Sequence, residues 1–543
     1  MGSNMCPLPS CRLCAVEGGS LQSNGEMFTL LAFLFLLSGV FSAPCAKRFF
    51  PPLSANHFVC VCNATYCDEY EEPSLSSQSA IIYSSSESGD RMSIRTARIS
   101  TIKGKRGVSG RIKVDPRVTY QEIIGFGGAF TDAAGINIES LSDSTRDKLM
   151  QTVFGNKGSR YSTGRVPIAS TDFSKTRYSY NDNAGDVKMN NFALAQEDLK
   201  YKIPLILRAL NLTGGDLRLL SSPWSAPAWM KETGKMEGPG RLRKGLEGAW
   251  AKYYVRFFEE YLSHGIPFWA TTVQNEPTSG ALPDYGWQTM YWNSTGERTF
   301  VANHLGPALA ASKAAKNLMI IALDDNRFWL PMWANEVYSD PVASSFISGV
   351  GIHWYLDLIS PASKLTATHN AHPDKLILAT EACAGSNRPH HSPAFGEWSR
   401  AEGYARSIIE DLNNFVAGWT DWNIALDTEG GPTWAKNFVD SPIIVNSTAD
   451  EFLKQPMHYA LTHFSRFLRP GSKRVQSSTV DIDDVRVMHT AFVFDGQRIL
   501  NILNTVDTEY DIVIEEASGI SINVKIAPKS VTTVIWKKQL MYQ

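Results

Sequence analysis

The chain has almost no net charge. Its 52 Lys and Arg residues are balanced by 54 Asp and Glu, for a formal charge of -2 over 543 residues, which argues against nucleic acid as its main partner. Long apolar runs are nearly absent. The exception, Met27 to Ala43 ("MFTLLAFLFLLSGVFSA"), is too short to span a bilayer comfortably, and no other stretch is apolar enough to be a candidate. An apolar stretch that ends in small residues before "PCAKRFF" is the layout of a secretory leader cleaved near Ala43. The 26 residues before Met27 then read as an extended leader or an upstream start. Cysteine is scarce, with eight in all, and Cys6, Cys11 and Cys14 fall in that leader. No solenoid-type repeat is visible, and the glycines of "GFGG" lack the full dinucleotide spacing.

Four of the remaining cysteines follow the leader closely: Cys45, Cys60, Cys62 and Cys67. Four cysteines allow three pairings. Cys45 with Cys60 and Cys62 with Cys67 are preferred, because both close short local loops in an oxidising compartment. Zinc is disfavoured, since no histidine pair sits nearby at ligand spacing. Asn63, Asn211, Asn293 and Asn446 each begin an N-x-S/T triplet, which suits a glycoprotein. Cys383 has no evident partner.

From about Gln121 to Leu426, short β-like runs alternate with helix-like stretches such as "GAWAKYYVRFFEEYLSHG" and "GYARSIIEDLNNFVAG", whose apolar residues return at helical spacing. The runs are "EIIGFGGAFTD", "GRVPIAS", "LRLLSSPW", "FWATTVQNEP", "LMIIALDD", "GVGIHWYL", "KLILATEA" and "AGWTDWNIAL". Eight such units predict an α/β fold, a closed parallel (β/α)8 barrel, with the glycines of "GFGG" turning the backbone at its mouth. Beyond Pro456 the chain alternates without long helices, with turns at "FDGQ" and "APKS", and reads as an accessory β-sandwich to which both chain ends contribute.

Working groups of such barrels project from the C-terminal strand ends. Glu276 ends the fourth run and Glu381 the seventh. Two carboxylates facing one mouth are what glycoside hydrolysis requires: one protonates the departing oxygen, the other attacks carbon or activates water. A single glutamate at a strand end is more often a surface or salt-bridged residue, so the pair carries the reading.

In order and spacing, "CVCNATYCD", "GFGGAFTDAA", "SSPWSAPAWM", "NEP", "HWYLD", "TEAC", "GWTDWNIAL" and "GGPTWAKNFVDSPIIV" resemble the lysosomal acid β-glucosidases (glucosylceramidases) of glycoside hydrolase family 30, from about Cys45 to Trp536. The resemblance implies that Glu276 is the acid/base and Glu381 the nucleophile, with Asn275 on the sugar 2-hydroxyl. Asp172, Trp224, Trp422 and Asn437 would form the glucose pocket, Tyr355 would orient the nucleophile, and Arg165 and His353 would stand behind it. Asp172 could instead be a helix cap. Trp229, Trp269 and Trp419 are assigned to the core, and Cys383 to a buried thiol on the side of its strand opposite Glu381. The family further implies glucosylceramide as substrate, no metal or organic cofactor, an anionic lipid membrane surface and a saposin-like activator as partners, and a lysosomal or secreted location. The loop "TSGALPDYGWQTMYWNST" departs from the family's pattern and leaves the aglycone preference open.

The expected partition is a leader over 1–43, a small disulfide-stapled β domain from 44–71 with 424–456, an immunoglobulin-like β-sandwich from 72–119 with 472–543, and the barrel from 120–423 with 457–471.

Overall fold

A computed structural model describes residues 44–50, 57–101, 108–386, 392–483 and 485–538, and the leader expected over 1–43 lies outside them. Eight parallel strands close into a barrel: β1 (Gly125–Ala129), β2 (Thr163–Ile168), β3 (Arg218–Pro223), β4 (Ala270–Thr272), β5 (Met319–Asn326), β6 (Ile347–His353), β7 (Leu376–Glu381) and β8 (Gly418–Asn423). Each pairs with its neighbours in chain order, and β8 pairs with β1. Each of the eight runs overlaps one of these strands, although β2, β5 and β6 extend one or two residues beyond theirs. Strands covered on both faces must be apolar or internally hydrogen-bonded, and every residue of β1, β2 and β8 is buried.

The glycines of "GFGG" differ from expectation. They lie inside β1 and not at a turn of the mouth. A side chain at Gly127 would place its Cβ 1.9 Å from the Thr163 carbonyl oxygen, so bare backbone is needed where β1 approaches β2.

Helices pack around the barrel on the stripe the sequence gives them. The helix Glu247–Ser263 buries Trp250, Tyr254, Phe257, Phe258 and Tyr261 and turns Arg256 outward to Glu259 and Glu260. The helix Trp398–Asn413 buries Trp398, Ala401, Tyr404, Ala405, Ile408 and Leu412 in the same way. A third helix, Pro456–Ser465, stands where the sequence reading had none. All ten of its residues are buried, so it has no polar face and shows no amphipathic period. It lies between barrel and sandwich, and its His463 meets Thr533 and Ser85 through its two ring nitrogens at 2.8 and 3.0 Å. Burial pushes the His463 imidazole down to about 3.

Two further sheets flank the barrel. One has five strands, drawn from Lys47–Phe49, Phe58–Asn63, Leu426–Asp427, Ile443–Asn446 and Glu451–Lys454. It is stapled by the disulfides Cys45–Cys60 and Cys62–Cys67, the pairing expected from the short loops. The other is the accessory β-sandwich, whose nine strands hydrogen-bond in one closed ring around an Ile- and Val-rich core that Trp536 completes. Its hairpin at Phe494–Gln497 turns through Asp495 and Gly496, both at positive φ, as "FDGQ" suggests.

One irregularity of the barrel bears directly on its mouth. Near its end β5 slips register against β6, and Leu323 and Asp324 adopt left-handed conformations at φ 69° and 54°. Left-handed Leu is costly without support. Glu297, buried in the helix Ser294–Phe300, supplies it: its carboxyl accepts from the Leu323 amide at 3.1 and 3.3 Å and from the Trp333 indole. Burial pushes the Glu297 carboxyl up to about 8, against the opposing pull of those hydrogen bonds. A raised carboxyl stabilises the fold fully below its unfolded value and loses that contribution as pH climbs through its folded one. Thermal unfolding followed from pH 5 to pH 9 is therefore expected to show a falling Tm. Glu297→Gln should remove from that fall a share on the order of 3 kcal/mol; a variant curve parallel to the parent's would exclude Glu297 as its source.

Candidate active site

The strand ends converge on one pocket of about 290 Å³. Its walls include Asp172, Trp224, Asn275, Glu276, Tyr355, Glu381, Trp422 and Asn437, so all eight residues assigned to chemistry or sugar binding meet in one place. Arg165 and His353 stand behind them, both fully buried in their side chains.

Glu381 is the last residue of β7. Tyr355 donates its hydroxyl to Glu381 Oε1 at 2.7 Å, and Arg165 binds Oε2. Glu276 departs slightly from expectation, because β4 ends at Thr272 and the glutamate sits four residues farther on, at φ 42°. The intervening backbone stays tied to the barrel. Val273 N donates to Ile321 O, Asn275 N to Pro223 O and Glu276 N to Asp324 O, at 2.9 to 3.1 Å. The strained glutamate is thus held on both neighbouring strands. Its Oε2 accepts from Tyr285 at 3.0 Å and Ser279 at 3.2 Å, and its Oε1 lies 3.2 Å from His353 Nδ1.

The two carboxylates are close. One oxygen of Glu276, one of Glu381 and a ring nitrogen of His353 all lie within 4.8 Å of one another. The same His353 Nδ1 is 4.0 Å from Glu381 Oε1.

Behind this pair lies Asp324, which the sequence reading did not single out. Its Oδ2 accepts from Arg165 at 2.8 Å, Thr272 at 2.7 Å and Ser222 at 3.0 Å. Its Oδ1 accepts from Thr380 at 2.6 Å and faces His353 Nε2 at 3.0 Å. Burial disfavours its charge, but the Arg165 and His353 cations and these donors outweigh that and hold the carboxyl far below the usual range. Arg165 also donates to Asn275 Oδ1 at 2.9 Å, so one guanidinium ties together β2, β5, β7 and the segment after β4. The only available signal was the double aspartate closing "LMIIALDD".

The other wall is aromatic. Trp224 and Trp422 stack at 4.9 Å, and the Arg165 guanidinium lies 4.9 Å from the Trp224 ring. Asn437 donates to Asp172 Oδ2 at 2.9 Å. Asp172 follows β2 in a turn and caps no helix. Burial, together with the Glu381 and Glu276 charges, pushes its carboxyl up to about 7 against the Asn437 hydrogen bond. Tyr285 and Trp287, from the loop that departs from the family pattern, add to the lining.

Cys383 also lines the pocket, which corrects its expected direction. Residues two apart share a face in extended chain, so Cys383 stays on the side of Glu381; burial raises its thiol well above the ordinary value. Trp419 is core, as expected, whereas Trp229 and Trp269 are half-buried. Of the four sequons, Asn211 and Asn293 are exposed, and Asn63 and Asn446 are half-buried. Asn293 caps the helix Ser294–Phe300, and Asn446 donates to Glu451 at 2.8 Å.

Comparison with known proteins meets the same geometry. Residues 123–468 match the glycosyl hydrolase family 30 TIM-barrel domain, and residues 471–534 its β-sandwich domain. The chain is 45% identical over 519 residues to putative glucosylceramidase 3 of Caenorhabditis elegans, covering 94% of this chain and 98% of that one. It is 39% identical over 506 residues to the lysosomal acid glucosylceramidase of Mus musculus, covering 91% and 96%. Among solved structures, SrfJ from Salmonella typhimurium superposes with a TM-score of 0.78 at 29% identity, covering 85% of this chain and all of that one. An eight-stranded barrel with paired carboxylates at its mouth, a sandwich behind it and matches across both domains make this chain a member of glycosyl hydrolase family 30.

Proposed function

We propose that this protein is a retaining β-glucosidase that hydrolyses glucosylceramide to glucose and ceramide through a covalent glucosyl-enzyme. The observation that carries the reading is the approach of Glu276 and Glu381 oxygens to within 4.8 Å. Retaining enzymes hold their carboxyl groups about 5–5.5 Å apart, whereas inverting ones leave about 6.5–9.5 Å for a water. The names of the C. elegans and mouse relatives support glucosylceramide as the substrate.

Glu381 is the nucleophile in this reading. Arg165 and Tyr355 occupy its two oxygens, which fixes the carboxylate's orientation toward the pocket. Glu276 protonates the departing oxygen. Once Glu381 is esterified its charge is gone, and Glu276 can draw a proton from water as that water attacks the anomeric carbon. Asn275, with its Oδ1 engaged by Arg165, is assigned to the sugar 2-hydroxyl. Asp172 and Asn437 take the remaining hydroxyls, and the Trp224–Trp422 stack offers a flat apolar wall to the sugar's C–H face.

A pocket of about 290 Å³ accommodates a sugar and not a two-chain lipid. Ceramide therefore stays outside, in keeping with a bilayer-borne substrate, an anionic membrane surface and a saposin-like activator as partners. The lysosome is the proposed location, and the proposed chemistry requires no metal or organic cofactor.

The roles of the two glutamates separate by leaving group. Glu276→Ala should keep much of its activity on aryl glucosides with acidic phenols, which need little protonation, and lose roughly 10²-fold or more on the lipid. Glu381→Ala should lose both, and a 2-fluoroglucoside inactivator should label the parent at Glu381; equal losses for both variants, or label elsewhere, would reverse or remove the assignment. Asp172→Asn, at a residue assigned to the sugar hydroxyls, should raise KM on aryl and lipid glucosides alike while leaving the preference between their leaving groups unchanged. Substrate class is decided by comparing a short-chain glucosylceramide with β-1,6-glucan and xylan, and faster cleavage of either glycan would point to a polysaccharide hydrolase instead.

A further inference from the structure

Asp324 receives hydrogen bonds from Thr380, Thr272, Ser222 and Arg165, so its carboxylate is committed to accepting. Its 3.0 Å contact with His353 Nε2 then requires a proton on that nitrogen. If Nε2 keeps its proton in both charge states of the ring, the atom that titrates is Nδ1, which faces Glu276 Oε1 at 3.2 Å. A protonated Nδ1 donates to the Glu276 carboxylate. A bare Nδ1 accepts from the Glu276 carboxylic acid.

We propose that Asp324 is a positioning residue that fixes His353 as the Nε2–H tautomer, so that the Nδ1–Glu276 pair holds one proton, given to the leaving oxygen and taken back from water. This rests on the acid/base assignment of Glu276 made above. In the first step the Nδ1 proton passes to Glu276 Oε1 and from it to the glycosidic oxygen. The anomeric C–O bond breaks as the bond to Glu381 forms, and the aglycone leaves as a neutral alcohol. In the second step water bonds to the anomeric carbon, the ester bond to Glu381 breaks, and the water's proton passes through Glu276 to Nδ1. His353 thus ends each cycle as it began.

The surroundings of His353 fit this role. Glu276 and Asp324 face its two nitrogens, Glu381 lies 4.0 Å from Nδ1, and the Tyr355 ring stands edge-on at 6.0 Å. Arg165 binds the other oxygen of Asp324, and the Asp325 carboxylate also interacts with the ring. Burial opposes a charged ring, but the Glu381 charge and the hydrogen bonds to Asp324 and Glu276 prevail and push His353 up to about 10. Glu276, in turn, is lowered despite burial by its hydrogen bond to His353. In the resting enzyme the proton therefore sits on the ring, one hydrogen bond from the carboxylate that uses it.

Two variants and one control test this through the pH dependence of kcat/KM, on an alkyl glucoside and on a dinitrophenyl glucoside. Asp324→Asn removes the buried charge at Nε2 and offers an amide N–H there, which favours the opposite tautomer. Its alkaline limb should move down by about one pH unit or more, with roughly tenfold or greater excess loss on the alkyl substrate. Thr380→Val removes a donor from the same Asp324 oxygen that meets Nε2, strengthens its hold on the ring, and should move the limb up. This second variant keeps the shape of the parent side chain and decides the matter if Asp324→Asn does not fold. An unmoved limb in Asp324→Asn with equal loss on both substrates, or a limb in Thr380→Val that stays or falls, would overturn the inference. Glu276→Ala, measured alongside, keeps the readings apart: without leaving-group dependence the acid/base assignment fails and takes the inference with it. If that dependence is present and the limbs stay put, only the inference fails.

Discussion

One ionised carboxylate in the barrel interior, Asp324, organises the mouth. A buried charge is tolerated only when paired and fully hydrogen-bonded, and five side chains from the barrel strands or their ends meet this requirement: Arg165, Ser222, Thr272, Thr380 and His353. Satisfying that charge has consequences beyond stability. Arg165, drawn to Asp324, also reaches Glu381 and Asn275, and His353, drawn to Asp324, reaches Glu276. The two candidate catalytic carboxylates are thereby oriented from behind by groups that are themselves held at one point.

The backbone cooperates at a cost. Leu323, Asp324 and Glu276 all take positive φ, a conformation that side chains other than glycine avoid. Two of these deviations are compensated locally: Glu297 holds the Leu323 amide, and the Asp324 carbonyl holds the Glu276 amide. Strain at such a point aims a side chain that regular strand geometry would send elsewhere. Here it aims Asp324 into the barrel and Glu276 over the pocket.

Charge is balanced across the pocket as well. Glu276 and Glu381 lie beside two cations, Arg165 and His353, whereas Asp172 is met by the Asn437 amide, pairs with no cation among the described residues and is pushed up to about 7. Glu276 and Asp172 line one small cavity and yet shift in opposite directions, because of what stands behind each and not because of residue type. The stacked Trp224 and Trp422 exclude water from one face, which strengthens these interactions.

Much of this was legible in the chain itself. Eight apolar runs separated by helical periodicity determined the barrel, and short loops between cysteines determined the disulfide pairing, because both are local patterns. The strand ends, with the family motifs, pointed to Glu276, Glu381 and the neighbours proposed to bind the sugar, which line one pocket. Other features had no local signature. Asp324 reads as an ordinary strand-end aspartate until the barrel brings its partners to it, and the helix Pro456–Ser465 shows no period because the barrel, the sandwich and the segment around Asp68 and Tyr70 together bury it on every side. Cys383 is a different case: the two-residue alternation of extended chain, a local rule, already puts it with Glu381, against the direction expected for it. The distance between two carboxylates that are 105 residues apart in sequence, and the proton affinity that burial and neighbouring charge impose on the groups around them, exist only once the barrel has closed, since both depend on positions in space that sequence separation does not specify.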